Sequence, residues 1–226
     1  MNITLPQAIM LLALNDETGK TEAGYYQPAL AGAAIADLLM LETIELSTDE
    51  PARVTPLRHQ FDLGAFLQMC DAAIGEESKL QPLGFWINRL SGEANFVTTL
   101  ADELVHLGAL SKEKTRIFGL FERTVWPEAS PLLESQLKSE IETAMFAETG
   151  PVDERVGMVI ALCDAADILQ HNFDADLLAK YADRIEAISA GKLLSKDTSE
   201  KVLKCVNHAI MAATEMAEIT AASIIN

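Results

Sequence analysis

Taken by the spacing of its apolar positions, the chain is a succession of helices with little between them. The stretch Val156 to Leu169, VGMVIALCDAADIL, is apolar on nearly every side, and a helix of that kind belongs inside a domain. Gly150 and Pro151 stop anything from running into it. Asp153 and Glu154 stand ahead of it with the sign that a helix N-terminus favours. Its charge-free part, Val156 to Cys163, is far shorter than the roughly 20 apolar residues of a membrane span. The expectation is a buried central helix against which the other helices lay their apolar stripes.

The remaining pattern supplies those helices. Thr4 reads as an N-cap with Pro6 and Gln7 in the first turn, and IMLLAL follows as a buried face until Asn15 and Asp16 break it. Pro28 to Leu41 predicts a helix whose Ala29, Ala31, Gly32, Ala33 and Ala34 permit close contacts. Thr43 to Leu46 and Val54 to Leu57, separated by the turn-forming Ser47 to Pro51, are the two convincing strands. Further helices are expected over Phe61 to Ile74, Pro82 to Leu90, Phe96 to Leu107 with Gly108 as C-cap, Pro131 to Glu148, Ala175 to Ala190 and Thr198 to Ile224. Ile117 to Pro127, IFGLFERTVWP, is too irregular for a helix and reads as an extended segment that buries Phe118, Leu120, Phe121 and Trp126. No repeat, low-complexity tract or long linker interrupts the order. The fold class is therefore mainly α: a single compact multi-helical domain spanning residues 1–226 around a buried central helix, with one or two short β-strand pairs.

Charge narrows the functional classes. The chain carries 34 acidic and 17 basic residues, a formal net charge of −17, and such a surface is repelled by nucleic acid and by anionic lipid unless its cations cluster. Nucleic acid is not expected as a partner. A patch built from Arg53, Arg58, Lys112, Lys114 and Arg116 would restore an attraction to lipid. The cysteines Cys70, Cys163 and Cys205 are widely spaced and read as buried thiols of a reducing compartment. Met1 to Leu14 lacks the basic start of a signal peptide, so a cytoplasmic location is expected.

Candidate chemistry is sparse. Gly19-Lys20-Thr21 resembles the end of a phosphate-binding loop, but the glycine needed five places ahead of Gly19 is Leu14; a polar turn accounts for the same letters. Glu103 and His106 have the Glu-x-x-His spacing of di-iron bundles, without the second pair such a site requires. Asp164 and Asp167 stand three apart, as a cation pair in helical diphosphate enzymes would, or as acids marking the exit of the buried helix toward solvent. His59, His171 and His208 have no nucleophile pattern beside them. No enzyme and no cofactor are expected.

The order of five blocks says more. LPQAIMLLALNDETGKT, AIADLLMLETIEL, WINRLSGE, LVHLGALSKEK followed by FGLFERTVWP, and IALCDAADILQHNF together resemble the Golgi phosphoprotein 3 family, from Leu5 to Phe173. The resemblance implies a mostly helical, non-enzymatic protein that attaches peripherally to the cytoplasmic face of membranes through phosphatidylinositol 4-phosphate. Eukaryotic members also bind glycosyltransferase tails. Those members form their phosphate pocket from a tryptophan and three arginines. Here Thr21 to Leu39 holds no tryptophan or arginine, Ala31 takes the place of the first arginine, and Leu90 to Ser111 holds no lysine or arginine. None of the pocket residues carries over, and the missing polar N-terminal tail points to a bacterial-type relative. Lys20, with Tyr25 and Tyr26 as amphipathic side chains suited to an interface, are the lipid-binding candidates that remain. Two readings follow: a peripheral membrane or adaptor module with altered lipid specificity, its ligand a phosphoinositide or another anionic lipid; or a soluble module that binds a protein partner or homo-oligomerises and meets no lipid.

Overall fold

The computed structural model describes residues 3–21, 26–58, 62–117 and 121–194. Among these the order is α1 (Leu5–Ala13), α2 (Tyr26–Met40), β1 (Ile44–Leu46), β2 (Val54–Pro56), α3 (Gly64–Gly75), α4 (Leu83–Ser91), α5 (Phe96–His106), β3 (Glu113–Ile117), β4 (Phe121–Val125), α6 (Leu132–Met145), α7 (Glu154–Ala165), α8 (Leu169–Asn172), α9 (Ala175–Lys180) and α10 (Ala182–Ser189). The fold is mainly α with two small antiparallel sheets, as the apolar spacing implies. The expected helix over Thr198 to Ile224, with Cys205 and His208, lies outside the described residues, as do Phe61 and His59.

The core has three buried helices at its centre rather than one. Every residue of α1 is buried, as are Pro28 to Leu38 of α2 and Val156 to Cys163 of α7, and the three pack on one another. Small side chains explain the closeness: Ala29, Ala31, Ala33 and Ala34 are essentially inaccessible, leaving room for the leucines and Met10 of α1 to fill the gap at interior density.

The start of α1 is fixed twice. Thr4 and Gln7 form a capping box, the Thr4 hydroxyl accepting from Gln7 N–H at 3.3 Å and the Gln7 amide oxygen accepting from Thr4 N–H at 3.0 Å. Leu5 N–H, another donor of the first turn without a partner inside the helix, donates a hydrogen bond to the Asp37 carboxylate of α2 at 2.7 Å. Arg155 of α7 closes the group, donating to Asp37 at 3.0 Å and to Ile3 O at 3.2 Å. All three central helices thus meet at Asp37, whose pKa burial raises against the lowering pull of Arg155 and of its hydrogen bonds.

Three expectations are corrected. The strands at 44–46 and 54–56 pair as expected, Ile44 opposite Pro56 and Leu46 opposite Val54, but they are not the only ones: Glu113–Ile117 and Phe121–Val125 pair from Glu113↔Val125 to Ile117↔Phe121. The segment read as extended over Ile117 to Pro127 is the second arm of a hairpin. Its Val125 is buried and Trp126 half-buried, while Phe118, Leu120 and the side chain of Phe121 lie outside the described residues. Ala175 to Ala190 is two helices that meet at Tyr181, whose ring packs on Phe146 with centroids 5.4 Å apart. The central helix ends at Ala165 rather than Leu169, because Asp167 turns the chain with φ +58°.

Candidate functional site

The loop after α1 and the hairpin β3–β4 meet, and the contact is made by backbone. Within the loop, Asn15 organises a turn: its side-chain oxygen accepts from the Thr18 N–H and hydroxyl, both at 2.9 Å, and its carbonyl from Gly19 N–H at 2.8 Å. Asn15 N–H donates to Lys20 O at 2.8 Å, and Leu14 bridges Thr21. These donors are spent on the loop itself, so the letters that resemble a phosphate-binding loop form the polar turn that the missing glycine implies. Lys20 is exposed, Tyr26 is half-buried against the core, and Tyr25 lies outside the described residues; no contact brings the first two together.

Gly19 decides how the turn docks. It has φ +59°, and a Cβ there would lie 2.2 Å from the Trp126 carbonyl carbon and from Pro127 N, so only glycine combines this backbone shape with this approach. Trp126 N–H donates to Gly19 O at 3.1 Å and Glu128 N–H to Asp16 O at 2.9 Å. On its other side the same segment is held by Ser111 N–H to Pro127 O and Ala129 N–H to Ala109 O, at 2.9 and 2.8 Å. The root of the hairpin is thus clasped between the first loop and the chain leaving α5.

Three carboxylates gather at the clasp. Asp16 of the loop, Glu128 after β4 and Glu134 of α6 bring oxygens within 4.8 Å of one another. Glu134 is buried, and Lys138 one turn later lies 2.6 Å from it. The Glu134 pKa is raised, by burial first and by Asp16 and Glu128, against Lys138; that of Glu128 is raised by burial and by Asp16. A small cavity of about 80 Å³ beneath the loop is lined by Asp16, Lys138, His171 and Asn172.

The hairpin carries more cations than anions. Lys112, Lys114, Arg116 and Arg123 stand against Glu113 and Glu122, in a protein of net charge −17. Lys112 is held by Asp102 at 2.7 Å and Lys114 by Glu122 at 3.2 Å; Arg116 and Arg123 are exposed, with no ion pair among the described residues. Arg53 and Arg58 belong to the other hairpin, where Arg53 donates to Leu80 O at 2.8 Å. The cations of β3–β4 come from one contiguous stretch of the chain. The alternation of Lys112, Lys114 and Arg116 was its sequence signal, since residues two apart on a strand share a face.

The other candidates resolve into structure. Glu103 accepts from Gln7 Nε2 at 2.9 Å and from Phe66 N–H at 2.8 Å, tying α5 to α1 and α3, while the ring of His106 is occupied by Asp102 O at 2.7 Å. Asp164 accepts from the Ser189 hydroxyl at 3.0 Å, its pKa raised by burial, and with Asp167 it lines an open groove beside α10. Cys70 and Cys163 are buried free thiols. No described helix is long and apolar enough to cross a membrane.

A family model, Golgi phosphoprotein 3 (GPP34), matches residues 5–212. No curated protein matches the chain.

Proposed function

The chain belongs to the Golgi phosphoprotein 3 family, and on that premise we propose that it is a non-enzymatic peripheral membrane protein of the cytoplasmic face, attached to anionic lipid through the hairpin β3–β4. The observation that carries this reading is the concentration of Lys112, Lys114, Arg116 and Arg123 on one hairpin of a strongly acidic chain. A local cation group is what such a protein needs to approach a negative surface, because repulsion from the rest of the molecule is screened beyond about 8 Å at physiological salt. Lys20, exposed on the loop that abuts the hairpin root, adds to the same group. Apolar residues Ile117 and Phe121 stand at the far end of the hairpin, and the sequence between them reads Phe118-Gly119-Leu120, a composition suited to the headgroup boundary. With a separate basic hairpin in place of the family's arginine pocket, attachment follows charge density rather than the phosphatidylinositol 4-phosphate headgroup.

Co-sedimentation with vesicles of neutral lipid, of phosphatidylserine and of phosphatidylinositol 4-phosphate tests this at low and near-physiological salt. Binding to both anionic compositions, weakened by salt, is expected. Since each cation near the surface contributes about 1 kcal/mol, Arg116→Ala with Arg123→Ala lowers it roughly 30-fold. Equal binding by the double variant overturns the assignment to the hairpin. Absence of binding to every vesicle overturns the lipid reading and leaves a protein partner or self-association, which the net charge of −17 favours.

A further inference from the structure

The clasp at the hairpin root joins groups that the reading above does not use. It has two parts: a shape that only Gly19 permits, and three carboxylates from three segments. Asp16 is on the loop, Glu128 follows β4 and Glu134 is on α6, so none of them need be near the others unless the root is docked. Docking therefore brings their negative charges together, with Lys138 the one cation paired inside the group among the described residues. From a fourth segment, α8, His171 lines the cavity shared by Asp16 and Lys138.

We propose that the loop Asn15–Lys20 and the hairpin root form a proton-responsive clasp, closed more firmly in acid, that sets how tightly the hairpin is held to the core. Two backbone hydrogen bonds, Trp126 N–H to Gly19 O and Glu128 N–H to Asp16 O, close it. They tie the outgoing strand directly to the end of α1, which is buried throughout.

The direction follows from where the proton goes. In the docked root, Glu128 is half-buried and Glu134 buried beside the exposed Asp16 carboxylate, and Glu128 and Glu134 each take a proton more readily than they would when hydrated and apart. Protonation removes repulsion in the closed form and none in the open form. Closure is thus favoured below the raised carboxyl range and weakens as the pH rises through it, by about tenfold for each unit of difference between the two states. The inference concerns the attachment of the hairpin and stands whether or not the hairpin meets lipid.

Amide hydrogen exchange of the full chain, corrected for intrinsic rates, reads the clasp at Trp126 and Glu128 with Ile35 of α2 as an internal reference. Protection at the two clasp amides is expected to fall about tenfold or more between roughly pH 5 and pH 7.5 while Ile35 is unchanged. Glu128→Gln combined with Glu134→Gln is expected to abolish that slope and keep protection high at the upper pH. Should the double variant not fold by circular dichroism, Glu128→Gln alone, at a partly exposed position, is expected to reduce the slope. Gly19→Ala separates shape from charge: hairpin amides lose protection at every pH while Ile35 retains it. A flat profile in the wild type, a slope that the glutamine variants leave unaltered, or a parallel slope at Ile35 overturns the proposal.

Discussion

Asp37 shows what a single side chain does in this fold. Its two oxygens hold the first turn of α1 and the guanidinium of Arg155, a residue 118 positions away. Arg155→Met is expected to strand a buried carboxylate and to cost about 3 kcal/mol at neutral pH, the low end for a broken buried pair because Arg155 is one-third exposed. The sign with pH follows from burial, which raises the Asp37 pKa in the folded state. Stability linked to such a group is fully present below the ordinary value of 3.8 and declines as pH rises through the raised one. Without Arg155 the pKa rises further, so urea unfolding near pH 4 and pH 7 should show the variant losing more at the higher pH; equal losses contradict the argument. At this scale the sequence was legible where partners are close. Thr4 and Gln7 announce a cap three residues apart, whereas the letter at Asp37 says nothing of Arg155, and the letter at Gly19 nothing of Trp126, because both depend on which elements dock.

Among the elements, helices were read well because an apolar stripe needs only the helical period to reveal it. Their ends were read less well. The central helix stops at Ala165 because Asp167 takes a left-handed turn, and Tyr181 divides the last described helical stretch where it meets Phe146; both are set by packing on neighbours. The hairpin β3–β4 escaped for a related reason. Its five-residue strands carry charges on much of their length, so no alternation of apolar and polar positions marks them, and pairing with each other supplies what periodicity did not. The start of α1 offers the plainest test at this level. Thr4→Ala removes one half of the capping box and is expected to lower stability by about 1 kcal/mol, measured as a shift in urea midpoint without a change in slope. A shift indistinguishable from zero would mean that Asp37 and Arg155 alone hold the helix start.

For the whole molecule the decisive fact is which groups are shut away from water. Burial raises the Cys70 pKa to about 12, with Glu103, Asp71 and Glu93 adding to the effect, and raises that of Cys163 as well. With Cys205 replaced by serine, neither thiol should react with a disulfide reagent near pH 8 within minutes, since only about one in ten thousand Cys70 groups is then ionised. Both should react once the chain is unfolded in guanidinium. Prompt reaction of the folded protein would mean that the core opens on that timescale. The sequence by itself determined the fold class, the apolar character of the helices that build the core and the first strand pair, because period and residue type are local properties of the chain. The tertiary structure alone decided that Gly19 seats the root of the hairpin and that Asp16, Glu128 and Glu134 share one place. Each of these is a meeting of segments far apart in sequence, and its energetics exist only once the segments touch.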